Sequence, residues 1–208
     1  MAHIPDGVLS APVLIGGAVL AVGGIAVGLR RMDEADVPKT AILAAVFFVA
    51  SLVAVPVGPS SIHLLLSGLM GLVLGTRAIP AVFVGLLLQA VLFGFGGLTS
   101  LGVDVVDIAF PGVILGLVAR PILAKVSGWR VALVGGGAAA LAVLGTAACV
   151  SAALALSSTD YLPSLRIVAI TYVPLALAEA TITGFVVSYL AKVKPEMLGL
   201  AHPSEGSP

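Results

Sequence analysis

Seven apolar segments, roughly 9–29, 40–55, 62–75, 79–94, 106–126, 130–157 and 165–192, constrain what this chain can become. Several are close to the ~20 residues that a helix needs to cross a bilayer. Together they leave little polar sequence. Of 208 residues 60% are hydrophobic and only 10% charged, against about 45–50% and about 25% in soluble domains. That much apolar surface exceeds what one core of this size can hide, and lipid is the natural place for the rest. The expected fold is therefore all-α, a polytopic membrane protein of about seven transmembrane helices. Gly and Ala are abundant, as expected where such helices approach closely. The pairs Gly24/Gly28, Gly71/Gly75 and Gly112/Gly116 have the fourfold spacing of backbone contacts.

The loops test the count. The breaks "LRRMDEADVPKT", "VPVGPSS", "GTRAIP", "GFGGLTSLGVD", the stretch that holds Pro121, Gly128 and Trp129, and "SSTDYLPS" alternate between the two sides. With the amino-terminus outside and seven crossings, Arg30, Arg31, Lys39, Arg77, Arg120, Lys125, Arg130, Lys192 and Lys194 fall inside, and only Arg166 falls outside. This is the positive-inside rule, and adding or removing one crossing would scramble it. The expected topology has an outer amino-terminus and a cytoplasmic carboxyl-terminus. Segments 62–75 and 79–94 are short enough to form a re-entrant hairpin instead, although Arg77 between them favours a full crossing. Residues 1–195 read as a single membrane-embedded domain, and 196–208 as a polar, disordered tail. No basic segment precedes the first apolar run, so a retained helix is expected there rather than a signal peptide. The zero net charge implies no nucleic-acid partner. Cys149 reads as a small buried hydrophobe.

Chemistry can sit in few places. His202 lies in the tail, whereas His3 and His63 are both expected on the outer side. A free terminal amine, a deprotonated amide nitrogen and an imidazole can close chelate rings around one ion, and such nitrogen-rich sites suit Ni(II), Cu(II) or Co(II). Pro5 and Gly7 would turn the chain just after His3. Asp6 is expected to cap that turn or the first helix.

Three stretches resemble one family. "HIPDGVLS", "GPSSIHLLLSGLMGLVLG" and "LLLQAVLFGFGGLTSLGVD" are similar, in order, to signatures of the substrate-capture subunit (S component) of cobalt/nickel energy-coupling-factor (ECF) transporters. The resemblance extends from residue 3 to about residue 195. It implies a prokaryotic multi-pass inner-membrane protein that binds Co(II) or Ni(II) from outside and serves uptake, including cobalamin biosynthesis. Its implied partners are a transmembrane coupling subunit, two cytoplasmic ATPases and often a small accessory membrane subunit. The two family imidazoles map onto His3 and His63. The family usually begins Met-His, and this chain begins Met-Ala-His. Removal of Met1 would make the Ala2 amine a ligand with His3 second; a retained Met1 would supply its own amine.

Other polar residues read as support. Gln89 is expected near the bound site as a supporting contact or as a helix–helix hydrogen bond. Asp104 and Asp107 stand where the family commonly has Asn, and read as solvated or capping carboxylates, or as an acidic vestibule that concentrates cations. Glu179, inside the last segment, is expected to bond Thr181, Thr183 or another helix, or to contact the coupling subunit. No catalytic residue or catalytic cofactor is expected. The chain has no G-x-x-x-x-G-K-[ST] phosphate loop, so ATP hydrolysis is expected in separate subunits. A self-sufficient secondary transporter or channel is the alternative. An intramembrane hydrolase built on Ser60 or Ser61 near His63 is disfavoured, because side chains one or two apart in sequence do not generally face each other on a helix and the membrane segments hold no second His.

Overall fold

The computed structural model describes residues 4–57 and 60–200. In order, the elements are α1 (Ala11–Arg30), α2 (Val37–Leu52), a hairpin of β1 (Ala54–Val57) and β2 (Ser60–His63), α3 (Ser67–Leu74), α4 (Ala78–Phe93), α5 (Leu101–Leu123), α6 (Trp129–Ser157) and α7 (Ser164–Val193). The hairpin is antiparallel, with Ala54 opposite His63 and Val57 opposite Ser60. Short 3-10 turns join several helices.

Among the described residues six helical runs are long and apolar enough to cross a membrane. The difference from the expected seven lies at segments 62–75 and 79–94. They form one run, Ser67–Phe93, broken at Gly75, whose φ is +61°. That left-handed conformation is open to glycine at little cost. The first piece, α3, has 8 residues, about 12 Å at ~1.5 Å per residue, well short of a ~30 Å hydrocarbon core.

Three neighbours show where α3 begins. Ser67 lies against Gly112, Gly68 against Ala139, and the backbone of Leu65 and Leu66 against Glu179. All three partners sit near the middle of long helices. From this mid-depth start α3 runs along α5, with Gly71 against Gly112 and Gly116, to Gly75 beside Arg120. All eight of its residues are buried. A helix apolar on every side belongs inside a bundle, and α5, α6 and α7 surround this one. The outer half of the third segment is thus extended chain and hairpin, and the inner half is helix.

The Arg77 end of this run joins the other basic residues. Arg77 Nε donates to the Arg31 carbonyl at 2.9 Å, and its guanidinium pairs with Asp36 at 2.7 Å. Arg120 Nε donates to the Leu72 carbonyl at 2.9 Å. Arg31, Arg77 and Arg120 thus lie at one end of the bundle, and the other carries the hairpin and the amino-terminal segment. Between the ends, large apolar side chains such as Ile15, Val19, Ile42, Val118, Leu141, Ile170 and Phe185 are exposed. A belt of this kind suits lipid contact.

The chain also stays folded further than expected. After α7, Pro195–Leu198 forms a 3-10 turn and Leu198 is fully buried. An apolar side chain one turn after a proline returns to the core, so the expected tail does not begin at residue 196. Residues 201–208, with His202, lie outside the described residues.

Candidate metal centre

His63 ends β2 beside the last turn of α2 and is buried. Its Nδ1 is 2.7 Å from the Ser51 carbonyl oxygen. A carbonyl only accepts, so Nδ1 carries a proton, and in the neutral ring Nε2 is the nitrogen with the lone pair. This is how a ligating imidazole is commonly oriented. Phe95 meets the ring edge-on at 6.0 Å between centroids and stacks with Phe93.

Ser51 is held in turn. Its hydroxyl donates to the Phe47 carbonyl at 2.7 Å and accepts from Gln89 Nε2. Gln89 is fully buried. Its bond to Ser51 joins α4 to α2, a helix–helix hydrogen bond, and the Ser51 carbonyl in turn meets His63. Gln89 Oε1 has no hydrogen-bond partner among the described residues.

The amino-terminal segment docks at the same end. Ile4 is buried; its N–H donates to Asp104 Oδ1 at 3.0 Å, and its carbonyl accepts from the Ser100 hydroxyl at 2.5 Å. Asp6 accepts the N–H of Thr99 at 2.9 Å, of Leu98 at 3.2 Å and of Ser100 at 3.4 Å, together with the Thr99 hydroxyl. Asp6 thus caps the chain entering α5 rather than its own turn or α1; Gly7, next to it, turns at φ +84°. The Thr99 hydroxyl, helped by these N–H groups, holds the Asp6 carboxyl below its ordinary value.

Asp104 and Asp107 depart from the expected solvated or vestibule positions. Both are buried inside α5, because the helix starts at Leu101 and turns that face inward. Asp104 serves the Ile4 backbone, and Asp107 Oδ2 has no partner among the described residues. Glu179 does not bond Thr181 or Thr183. Its Oε1 accepts the N–H of Leu65 at 2.6 Å and of Leu66 at 2.7 Å, compensating the start of α3. His3, Ala2 and Met1 lie outside the described residues. Among the described residues no group of three or more His, Cys, Asp or Glu could hold a metal ion.

Ser51, Phe95 and the Thr99–Ser100 pair were missed in the sequence. Thr and Ser just before an apolar run are a helix-start signal and would have revealed the last of these. Ser51, in an apolar stretch, offers no such signal.

One loop, residues 94–100, touches both parts: Phe95 meets His63, and Leu98–Ser100 hold the amino-terminal segment. The family model described as cobalt uptake substrate-specific transmembrane region (CbiM) matches residues 3–197, a span that includes both. The chain belongs to this family. It is therefore a multi-pass membrane component of cobalt-type metal uptake. A candidate metal transport protein of Haemophilus influenzae is 41% identical over 198 residues, covering 94% of this chain and 96% of that one. The fused nickel transport protein NikMN of Rhodobacter capsulatus is 29% identical, over 94% of this chain and 63% of its own length. The crystal structure of a truncated transition metal transporter superposes with a TM-score of 0.72 at 27% identity, covering 91% of this chain and 98% of that one. The family's transmembrane architecture is thus shared by the CbiM-type bundle described above.

Proposed function

We propose that this chain is the substrate-capture subunit of an ATP-driven importer and that it binds Co(II) or Ni(II) at its outer face. The carrying observation is the loop 94–100, which ties buried His63 to the docked amino-terminal segment. That segment is anchored at Ile4, the residue after His3, so the chain enters the site end of the bundle from a fixed point. The positive-inside distribution of the arginine end supports an outward orientation for the other end. The ligands are the Ala2 amine after loss of Met1, the amide nitrogen and imidazole of His3, and the His63 imidazole. Nitrogen donors of this kind favour Ni(II) and Co(II) over the hard cations Mg(II) and Ca(II), and the relatives include a nickel transport protein within a family described by cobalt uptake. A coupling subunit, two ATPases and a small accessory membrane subunit complete the importer, with ATP hydrolysed in those partners.

Calorimetric titration of the purified chain with each metal tests the reading, and competition between the two ranks them. Tight binding should be lost in both His3→Ala and His63→Ala, by more than the roughly 10–100-fold expected for a supporting residue. Tight binding that survives the double variant sinks the site. Metal uptake that persists without ATPase subunits sinks the capture role. Intact mass should begin the active chain at Ala2.

A further inference from the structure

A cavity of about 440 Å³ opens between the end of α5, the loop that follows it, the start of α6 and the end of α7. Leu123, one turn beyond Arg120, and Lys192 place it at the arginine end of the bundle. Its lining holds one charged side chain, Lys192, and no acidic one. Lys192 is exposed and makes no ion pair among the described residues. Ser188, one turn earlier on α7, lines the same cavity; its hydroxyl oxygen is buried and has no hydrogen-bond partner among the described residues. Thr171 and Thr181 on the same helix do bond back, to the Ile167 and Leu177 carbonyls at 2.8 and 2.9 Å. Buried hydroxyls are nearly always paired, so Ser188 is an exception that calls for a partner. Gly128 also lines the cavity and opens α6, whose amino-terminus has no side-chain cap and no acidic residue in its first turn. The first N–H groups of a helix lack partners within it and attract anions.

We infer that this cavity holds the phosphate head group of an anionic phospholipid from the leaflet at the arginine end, the cytoplasmic one by the positive-inside rule. An unpaired ammonium, an unpaired hydroxyl and an uncapped helix start are the donors that phosphate oxygens take. Depth favours lipid over a soluble anion. Trp129, the first residue of α6, is 70% exposed, and tryptophan in a membrane protein marks the level of the head groups. Leu133 and Phe185 are exposed deeper on α6 and α7, and acyl chains need such apolar surface. Lys125 and Arg130, exposed on either side of Gly128, strengthen the positive field, which reaches about 8 Å at physiological salt. Basic pockets between membrane helices on this side take acidic head groups. A zwitterionic lipid brings its own cation into that field and is held less well. The cavity lies at the end opposite the hairpin and His63, so this site stands apart from metal capture.

The test places the full purified chain in nanodiscs of pure phosphatidylcholine and in nanodiscs with a third of phosphatidylglycerol. It reads thermal unfolding, and by native mass spectrometry the lipids retained on release. The wild-type chain should retain phosphatidylglycerol at least fivefold over phosphatidylcholine, relative to their supply, and unfold at a higher temperature with it. Lys192→Gln and Ser188→Ala should each lower that preference at least threefold, with unfolding in pure phosphatidylcholine unchanged. Lys192→Arg keeps the charge and should keep the preference. Lys194→Gln removes an exposed cation two residues away that does not line the cavity, and should keep it too. If Ser188→Ala unfolds early, the three lysine variants decide. An equal loss in Lys192→Gln and Lys194→Gln reduces the effect to general surface charge and overturns the site, as does equal retention of the two lipids by the wild-type chain. Millimolar inorganic phosphate that displaces phosphatidylglycerol and stabilises the chain as well assigns the cavity to a soluble anion and overturns the lipid.

Discussion

The Nδ1 of His63 lies 2.7 Å from the carbonyl oxygen of Ser51, so one residue at the end of α2 fixes which nitrogen of the imidazole can ligate. Ser51 keeps its place through its hydroxyl, which joins Phe47 to Gln89. The support therefore runs from α4 through α2 to the hairpin.

Ser51→Ala breaks this chain. Gln89 Nε2 is left buried without an acceptor, which costs about 1–3 kcal/mol and should appear as a lower unfolding temperature in detergent. If His63 ligates, metal affinity should fall roughly 10–100-fold as well. Adding Gln89→Leu removes the stranded amide, and replacing both partners by apolar groups is close to neutral. The double variant should regain stability and keep the weakened affinity. Recovery of both together would mean that Ser51 does not orient His63.

The close approach of α3 and α5 gives a second outcome. A methyl group at Gly71 would overlap the Gly112 carbonyl, whereas one at Gly23 would meet nothing within 4 Å. Gly71→Ala should destabilise by about 1–3 kcal/mol, as overpacking does. Gly23→Ala should leave thermal unfolding unchanged or slightly raised. Equal behaviour of the two variants would show that α3 is not wedged against α5.

These residues also show what a sequence makes legible. Hydropathy and the sorting of arginines identify the helices and their alternation, because lipid exposure and loop charge are written into every segment. The fourfold glycine spacing at Gly112 and Gly116 marks a real contact face, but Gly75 in the neighbouring pair instead makes the break between α3 and α4. Nothing in the apolar run around it distinguishes a half-length buried helix from a crossing one; that depends on the surrounding helices. Asp104 and Asp107 read as surface groups because loop boundaries are uncertain by a few residues, and starting α5 at Leu101 buries both. Glu179 is conspicuous by type, while its partners, two backbone N–H groups over a hundred positions away, carry no residue signature. His63 was legible through its motif, and its orientation was not, because a backbone carbonyl sets it.

The Asp6 clamp gives a pH prediction with a definite sign. Hydrogen bonds led by the Thr99 hydroxyl lower its carboxyl from the ordinary 3.8. A carboxyl whose value is depressed by folding stabilises the docked segment at pH above 3.8, and loses that contribution as pH falls through the lower folded value. The clamp is therefore constant between about pH 5 and pH 8. Any change of metal affinity in that window thus does not come from the Asp6 clamp. Asp6→Asn removes the carboxylate at every pH. Hydrogen exchange at the Ile4 amide, corrected for its intrinsic pH dependence, should be faster in the variant by the same factor at pH 5 and pH 8, and the two proteins should converge only below 3.8. A difference that already closes between pH 8 and pH 5 would assign the docking of the terminus to another titrating group.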